Sequence, residues 1–325
     1  MAEYEEQAKR SRKEVIETLK GRKQKDNILL VGNAGSGKSS LINTMSQALT
    51  GKWNPQARAG RSGGASPVTD RVRWYNDCNV IKIGSGFRRE WLPNLVDMAG
   101  YAGHDLEQWK HILLGIMEGR IADGTSMTNL LAELDRSHHY ISALDVDESK
   151  KITKIVFVAT VTEDINEELM QSVIDIARGT SGNREIQVYG ALTHCDRIGQ
   201  SGDTGVLDMT ARTRRSTMVS CLHMLGTEDD YFSDIKNYSS HIRPPNYEIE
   251  AISLNFLKII SVQRPNDGDS SGSNRSNLKI RMRIKLKQFE DILRDNTFFG
   301  LMVFAFAGFV FAFIINSLWT NSIVW

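Results

Sequence analysis

The residues best suited to chemistry lie near the N-terminus, where residues 32–39 read GNAGSGKS. Glycines, a lysine and a serine at this spacing fit the pattern that holds nucleotide phosphates. The glycines let the backbone turn tightly and point its N–H groups inward, which creates a nest for anions. Lys38 would reach the β- and γ-phosphates, and the hydroxyl of Ser39 would bind Mg²⁺. We call residues 32–39 the phosphate loop.

The elements around the phosphate loop must hold it in place. Residues 27–31 form a short apolar run that suits a buried parallel strand. A helix predicted to start at Ser39 would direct its positive N-terminal end at the phosphates. Strand, loop and helix in this order distinguish the motif from a chance glycine loop. We expect the nucleotide to contact Gly32, Asn33, Ala34, Gly35, Ser36, Gly37, Lys38, Ser39 and Ser40.

A second motif, Asp97-Met98-Ala99-Gly100, comes at the end of another apolar strand. In proteins with a phosphate loop, an aspartate at such a strand end supports the Mg²⁺ ion. The amide of the glycine that follows can contact the γ-phosphate. Asp97 and Gly100 are therefore predicted to complete the phosphate side of the site.

A further Mg²⁺ ligand is expected from residues 51–70, whose Gly, Ser and Pro content predicts a mobile loop. Thr69 is the candidate hydroxyl, and Ser66 is the alternative. Arg58 and Arg61 could approach the phosphates, although we expect solvated arginines here. The predicted metal ligands are Ser39, Thr69 and Asp97.

The nucleobase would be read by Thr193-His194-Cys195-Asp196, which follows the apolar stretch QVYGAL. A carboxylate at Asp196 can accept hydrogen bonds from N1–H and the exocyclic amine of guanine, a pair that adenine does not offer. The usual motif has lysine where this chain has His194, whose ring could stack on the base. A last guanine contact is expected from backbone amides near Ser239. Thr193, His194, Asp196 and Ser239 thus complete the predicted site, with GTP or GDP and Mg²⁺ as cofactors.

Strands that alternate with helices along the chain predict an α/β fold of the P-loop GTPase type. Its mainly parallel sheet would carry helices on both faces, and a C-terminal transmembrane helix would follow. The predicted segments are an N-terminal helix at 1–24, a GTP-binding domain at 25–262, a linker at 263–277, a basic juxtamembrane segment at 278–296, a transmembrane helix at 297–318 and a short tail at 319–325.

The transmembrane prediction rests on Phe298–Ile315, FFGLMVFAFAGFVFAFII, which carries no polar side chain. A run of this length approximately spans a bilayer core of ~30 Å. Basic residues precede the run and no charged side chain follows it, so the main domain is expected in the cytosol. This is a single-pass, tail-anchored arrangement, and the uncharged tail favours the endoplasmic reticulum or secretory membranes.

Composition narrows the remaining possibilities. A formal net charge of +1 gives no general attraction to nucleic acid, so we expect no nucleic-acid partner. Three widely spaced cysteines form neither a metal pattern nor a disulfide framework, which suits a reducing compartment. The N-terminus, MAEYEEQAKR, lacks the apolar region of a signal peptide.

The combination of GNAGSGKSS, DMAG and THCD resembles the translation-factor-like class of P-loop GTPases. Within it, DMAGYAG, ILLGIMEGRIADG, GALTHCD and KNYSS resemble the interferon-induced forty-four-kilodalton protein family. The likeness covers residues 25–262 and implies a GTP-binding domain that acts in antiviral innate immunity or growth restraint. The membrane span is not a feature associated with that family. Immunity-associated tail-anchored GTPases and dynamin-like GTPases are the alternatives.

Two positions argue for slow GTP hydrolysis. Small GTPases often place a glutamine after DxxG to orient the attacking water, where this chain has Tyr101. Dynamin-like loops carry a polar side chain where this chain has Ala34. Ser36, His104 or a switch arginine could still position water, so the catalytic residue stays open. We expect a GTP-dependent switch or assembly protein, with a homodimer across the nucleotide face; the alternative is a membrane-tethered interaction protein with a degenerate site.

Overall fold

The structure is a computed structural model that describes residues 2–20, 25–59, 69–75, 92–103, 105–179, 186–195, 213–220, 232–238 and 244–261. The chain divides into two compact units, Met1–Pro265 and Asn266–Trp325. The second unit lies outside the described residues, so the fold given below is that of the first.

The described strands form one six-stranded sheet in the order β2-β3-β1-β4-β5-β6. Their bounds are β1 Asn27–Val31, β2 Arg73–Tyr75, β3 Asn94–Asp97, β4 Lys154–Thr160, β5 Gln187–Thr193 and β6 Phe232–Asp234. Neighbouring strands run parallel except β2 and β3, which are antiparallel. The predicted mainly parallel sheet is therefore confirmed.

Helices cover both faces of this sheet. Their bounds are α1 Ala2–Leu19, α2 Lys38–Thr50, α3 Leu106–Met117, α4 Met127–Arg136, α5 Glu167–Gly179, α6 at 213–220 and α7 Tyr247–Ser261. Alternate side chains of β4 explain why both faces are covered: Ile155 and Phe157 join a core with α3, α4 and α5, whereas Val156 and Val158 join a core with α1, α2 and α7. A strand buried on both faces needs a continuous apolar sequence, as KIVFVAT provides.

The parallel strands end at the same edge of the sheet, and this edge carries the predicted motifs. The phosphate loop follows β1, Asp97 ends β3, and Thr193 ends β5. In parallel α/β sheets, ligands bind in the crevice outside the carboxyl ends of the strands. The fold thus gathers segments that are far apart in the sequence.

Residues 120–150 lack a clear hydrophobic period, from which the sequence predicts an insertion with a short helix near Leu130. The structure has α4 and two single-turn 3₁₀ helices there. The start of this insertion pairs with the outer side of β2 and the residues before it. The Val72 amide donates to the Thr125 carbonyl at 2.9 Å, and the Met127 amide donates to the Asp70 carbonyl at 2.9 Å. The insertion therefore covers this edge of the sheet.

Some predicted boundaries were wrong. The sequence predicts a short strand at Ile235–Lys236 that closes the sheet, but the observed β6 lies earlier, at Phe232–Asp234. The Ile235 amide still donates to the Leu192 carbonyl at 2.7 Å. Helix α2 begins at Lys38 rather than Ser39.

The N-terminal helix packs within the first unit. Ala8, Val15 and Leu19 of α1 lie in the same core as Leu254 and Leu257 of α7. None of the helices in the described part of the chain is both long and apolar enough to cross a bilayer. The predicted segments 263–277, 278–296, 297–318 and 319–325 lie outside the described residues, so the membrane span stays a prediction.

Candidate functional site

The phosphate loop leaves β1 and enters α2 with two backbone constraints that require glycine. A Cβ at Gly32 would lie 2.0 Å from the Val158 carbonyl oxygen. Gly37 has φ of 90°, a left-handed conformation that residues with a side chain rarely adopt. The sequence pattern therefore corresponds to a specific backbone path rather than to general flexibility.

Lys38 is held inside the concave side of the phosphate loop. Its side-chain Nζ donates to the carbonyls of Gly32 at 3.1 Å and Asn33 at 2.8 Å, and the residue is only 5% exposed. Burial lowers the pKa of Lys38 to about 8, while the nearby Asp97 carboxylate acts in the opposite direction. A cation placed in this way is suited to bind anionic phosphate oxygens.

The structure brings the three predicted metal ligands together. The Ser39 Oγ donates to Asp97 Oδ2 at 2.6 Å and lies 3.2 Å from Thr69 Oγ1. Asp97 is fully buried, and among the described residues its Oδ1 has no hydrogen-bond partner. Burial raises the pKa of Asp97, although Lys38 and the Ser39 hydroxyl oppose this shift.

This set of oxygen atoms fits Mg²⁺. The ion prefers hard oxygen ligands and is commonly bound by one or two carboxylates together with substrate phosphates and water. The unpaired Asp97 Oδ1 is a buried acceptor that a cation would satisfy. Clusters of three or more His, Cys, Asp or Glu that could hold a metal ion are absent from the described part of the chain. The alternative ligand Ser66 lies outside the described residues.

The segment after Asp97 packs directly on the phosphate loop. A Cβ at Gly100 would lie 2.4 Å from the backbone N and Cα of Ala34. The Tyr101 amide donates to the Gly32 carbonyl at 3.1 Å, and the Ala34 amide donates to the Tyr101 carbonyl at 2.9 Å. The Ala34 amide, predicted to contact nucleotide, is thus engaged by Tyr101 in this conformation.

The side chain of Tyr101 packs toward the core. Its ring meets the ring of the buried Trp109 edge-on, with centroids 5.9 Å apart. The DxxG motif places Tyr101 where small GTPases often have a water-orienting glutamine. A ring held by aromatic packing does not replace that amide, which is consistent with the expectation of slow hydrolysis. Arg58 is exposed, and Arg61 and His104 lie outside the described residues.

On the opposite side of the phosphate loop, Thr193 acts as a brace. Its hydroxyl donates to the Ser36 carbonyl at 2.6 Å and lies 3.1 Å from the Ala159 carbonyl. The ring Nδ1 of His194 lies 3.0 Å from Thr160 Oγ1 and 3.1 Å from Thr193 Oγ1. The side chain of His194 is too short to copy the reach of the usual lysine to the phosphate loop. The neighbouring Thr193 provides such a contact instead.

A second brace was not predicted. The Asn237 Nδ2 donates to the Gly37 carbonyl at 3.3 Å, and the next residue, Tyr238, donates its amide to Thr44 Oγ1 of α2 at 3.1 Å. The Asn237 Oδ1 is buried and has no partner among the described residues. Sequence reasoning expected only backbone amides from this stretch. The predicted guanine contacts Asp196 and Ser239 lie outside the described residues and stay predictions.

The chain that leads to Thr69 is anchored at both ends. Asn43 of α2 accepts hydrogen bonds on its Oδ1 from the amides of Gln56 at 3.0 Å and Ala57 at 2.9 Å, and its Nδ2 donates to the Ala57 carbonyl at 2.8 Å. After Thr69, the Asp70 carbonyl accepts from the insertion, as described above. Asn43 was also missed, because an asparagine within a helix carries no local signal for such a contact.

Comparison with known proteins gives no family model and no curated protein that matches this chain. Among solved structures, a dimerization-deficient mutant of Toc33 from Arabidopsis thaliana is similar with 15% identity and a TM-score of 0.46, covering 77% of this chain and 90% of that chain. Toc33 in complex with Mg²⁺ and GMPPNP has 15% identity and a TM-score of 0.44, covering 78% and 90%. The complex of Toc33 with GDP and Mg²⁺ has 14% identity and a TM-score of 0.39, covering 77% and 90%.

Proposed function

We propose that this protein is a guanine-nucleotide-binding switch that takes up GTP with Mg²⁺ and hydrolyses it slowly. The observation that carries the proposal is the cluster of Lys38, Ser39 and Asp97 at the phosphate loop. It combines a buried ammonium group with a hydroxyl–carboxylate pair 2.6 Å apart. A purely structural loop has no need for a buried cation beside a buried carboxylate oxygen that lacks a partner among the described residues.

In this proposal each side chain has a defined role. The loop amides and Lys38 bind the phosphates, while Ser39, Asp97 and Thr69 hold the Mg²⁺ ion directly or through water. When bound, Mg²⁺ neutralises charge on the β- and γ-phosphates. The hydrogen bonds from Thr193 and Asn237 occupy the Ser36 and Gly37 carbonyls and so help to hold the loop in one conformation.

The preference for guanine is proposed from the sequence. Asp196 follows β5 by three residues, close in the chain to Thr193, which already contacts the phosphate loop. A carboxylate there would accept two hydrogen bonds from guanine. GTP and GDP are thus the proposed ligands rather than ATP.

Slow hydrolysis and assembly belong to the same proposal. Ala34 has no polar side chain, and the Tyr101 ring packs on Trp109, so neither position orients water. We infer that a second copy of the chain across the nucleotide face supplies this missing contribution. Turnover per molecule should then rise with protein concentration. A turnover that is constant across concentrations and faster than roughly one per second, well above unassisted small GTPases, would refute this part.

Membrane attachment and an immune role are proposed separately. The apolar run Phe298–Ile315 supports a single membrane-spanning anchor with the main domain in the cytosol. If so, alkaline extraction should leave the protein in the membrane fraction. The resemblance to the interferon-induced family supports a role in innate immunity. Absence of any change in expression after interferon treatment would argue against it.

The nucleotide proposal is tested by titrating the full-length protein with labelled GTP, with and without Mg²⁺. We expect Mg²⁺ to tighten binding and Lys38→Ala to abolish it. Lys110→Ala is the matched control, because Lys110 lies on the surface of α3 and pairs with Glu107. If the folded wild-type protein binds no nucleotide, the alternative of an interaction protein with a degenerate site is favoured.

A further inference from the structure

A buried polar network lies behind the nucleotide site, centred on Glu250 of α7. This side chain is only 1% exposed. Its Oε2 accepts from Arg12 Nη2 at 2.7 Å, and its Oε1 accepts from Gln47 Nε2 at 3.0 Å. The Tyr238 hydroxyl shares its one proton between this Oε1 at 3.3 Å and the Asn246 carbonyl at 3.2 Å. A buried carboxylate is tolerated only when it is paired and hydrogen-bonded, so all these partners matter to it.

The partners of Glu250 come from different parts of the fold. Arg12 belongs to α1, Gln47 to α2, and Tyr238 to the segment after β6. The Tyr238 hydroxyl also accepts from the Asn246 amide at 2.9 Å, just before α7 begins. The network therefore joins the N-terminal helix to the segment that braces the phosphate loop.

Tyr238 is connected to the phosphate loop through its neighbour Asn237 and through helix α2. Its own amide bonds to Thr44 of α2, and the preceding residue, Asn237, donates to the Gly37 carbonyl at 3.3 Å. Because Asn237 directly precedes Tyr238, a displacement of Tyr238 that moves its backbone would weaken the hydrogen bond from Asn237 to the Gly37 carbonyl.

Arg12 also contacts α2, the helix that begins at the end of the phosphate loop. Its Nε donates to the Ala48 carbonyl at 2.7 Å, in the last turn of that helix. A cation is favourable there because the C-terminal end of a helix carries partial negative charge. Helix α2 begins at Lys38, so one guanidinium is connected to the phosphate loop along two routes.

We propose that Arg12 is a positioning residue for the phosphate loop, so that docking of the N-terminal helix α1 controls how tightly the nucleotide is held. Without Arg12, Glu250 remains as a buried carboxylate that has lost its cationic partner. The surrounding groups must move to solvate it, and Tyr238 is one of them. The inference rests on the proposed nucleotide binding but concerns a helix outside the nucleotide site.

The test measures the release rate of labelled GDP from the full-length protein, together with its thermal midpoint. Arg12→Ala should speed release by about tenfold, the effect of losing one charged hydrogen bond. Arg12→Lys should restore part of the wild-type rate, because it keeps the charge near Glu250. Lys9→Ala is the matched control, since Lys9 lies one turn earlier on α1 and pairs with Glu5 at the surface.

A second, milder variant keeps the inference testable if Arg12→Ala does not fold. Tyr238→Phe removes one oxygen and keeps the ring that packs edge-on against Trp53 at 5.3 Å. It should speed release severalfold, and adding Arg12→Ala should give less than the product of the two single effects, because both act through Glu250. A purely structural role of Arg12 would lower the thermal midpoint and leave the release rate unchanged.

The outcomes are distinguishable. Unchanged release in Arg12→Ala and Tyr238→Phe, with normal binding by the wild type, overturns this inference and leaves the proposed function intact. Fully multiplicative effects in the double variant also overturn it. A folded wild type that binds no guanine nucleotide overturns the proposed function itself, and this inference with it.

Discussion

The hydroxyl of Thr193 donates a hydrogen bond to the Ser36 carbonyl at 2.6 Å, which ties the end of β5 to the middle of the phosphate loop. The two residues are 157 positions apart in the chain. Thr193 opens the predicted base-reading motif, whereas Ser36 lies in the predicted phosphate site. The parts that would read base and phosphate are thus connected by a direct hydrogen bond.

Removing this hydroxyl should weaken nucleotide binding. Thr193→Val keeps the shape of the side chain but leaves the buried Ser36 carbonyl without its donor, which costs about 1–3 kcal/mol. We expect GTP affinity to fall by about tenfold or more in calorimetric titrations. Thr193→Ser keeps the donor and serves as the control. Equal affinities for all three proteins would show that the brace has no role in binding.

The Mg²⁺ contribution should depend on Asp97. Because burial raises the pKa of this carboxyl, its charge is poorly solvated without a cation. Asp97→Asn should therefore leave the metal-free protein as stable as the wild type or more stable, while the tightening of GTP binding by Mg²⁺ disappears. Asp123→Asn, on a more exposed carboxylate that accepts from the Trp74 amide, is the control. Undiminished Mg²⁺ dependence in Asp97→Asn would remove this residue from the metal site.

Gly100→Ala should disturb the contact between the phosphate loop and the segment after β3. The new Cβ would lie 2.4 Å from the backbone of Ala34, which has no flexible side chain to move aside. Overpacking of this kind costs about 1–3 kcal/mol, measurable by urea unfolding. Gly179→Ala is the control because no atom of the described residues lies within 4 Å of its Cβ position. If the Gly100→Ala protein is as stable as the control, the backbone at Ala34 moves aside at little cost in free energy and the close contact does not require glycine.

Lys38→Met should separate stability from function. Burial lowers the pKa of Lys38 to about 8, so keeping the charged amine in the loop at neutral pH costs free energy. An apolar chain of similar length removes this cost, but it also leaves the buried Asp97 carboxylate without its neighbouring cation. Because the two effects oppose each other, we expect only a small change in the stability of the nucleotide-free variant at pH 7. GTP binding should be lost. A large loss of stability would instead indicate that the hydrogen bonds to the Gly32 and Asn33 carbonyls dominate.

The sequence was most informative where function imposes a local pattern. The phosphate loop, the carboxylate at Asp97 and the parallel strands around them follow from glycine spacing and apolar runs. The short β6 was misplaced because three residues carry too little periodicity to define a boundary. Its true extent depends on pairing with β5.

Contacts between distant positions could not be predicted in this way. Asn237 and Gly37 lie 200 positions apart, and Arg12 and Glu250 lie 238 apart. Neither pair has a local sequence signature, because the residue type alone does not show whether a polar side chain is buried or which distant residue it contacts. The direct packing of α1 against α7 brings the charged pair together.

The most direct measurement is the affinity of the full-length protein for Mg²⁺ complexes of GTP, ATP and XTP, compared between wild type and Asp196→Asn. We predict that the wild type binds GTP with a dissociation constant of about 1 μM or lower and binds ATP far more weakly. Asp196→Asn should lose GTP and gain XTP, because an amide can donate to the carbonyl that replaces the guanine amine. Equal binding of ATP and GTP by the wild type, or no binding by the folded protein, would contradict the account.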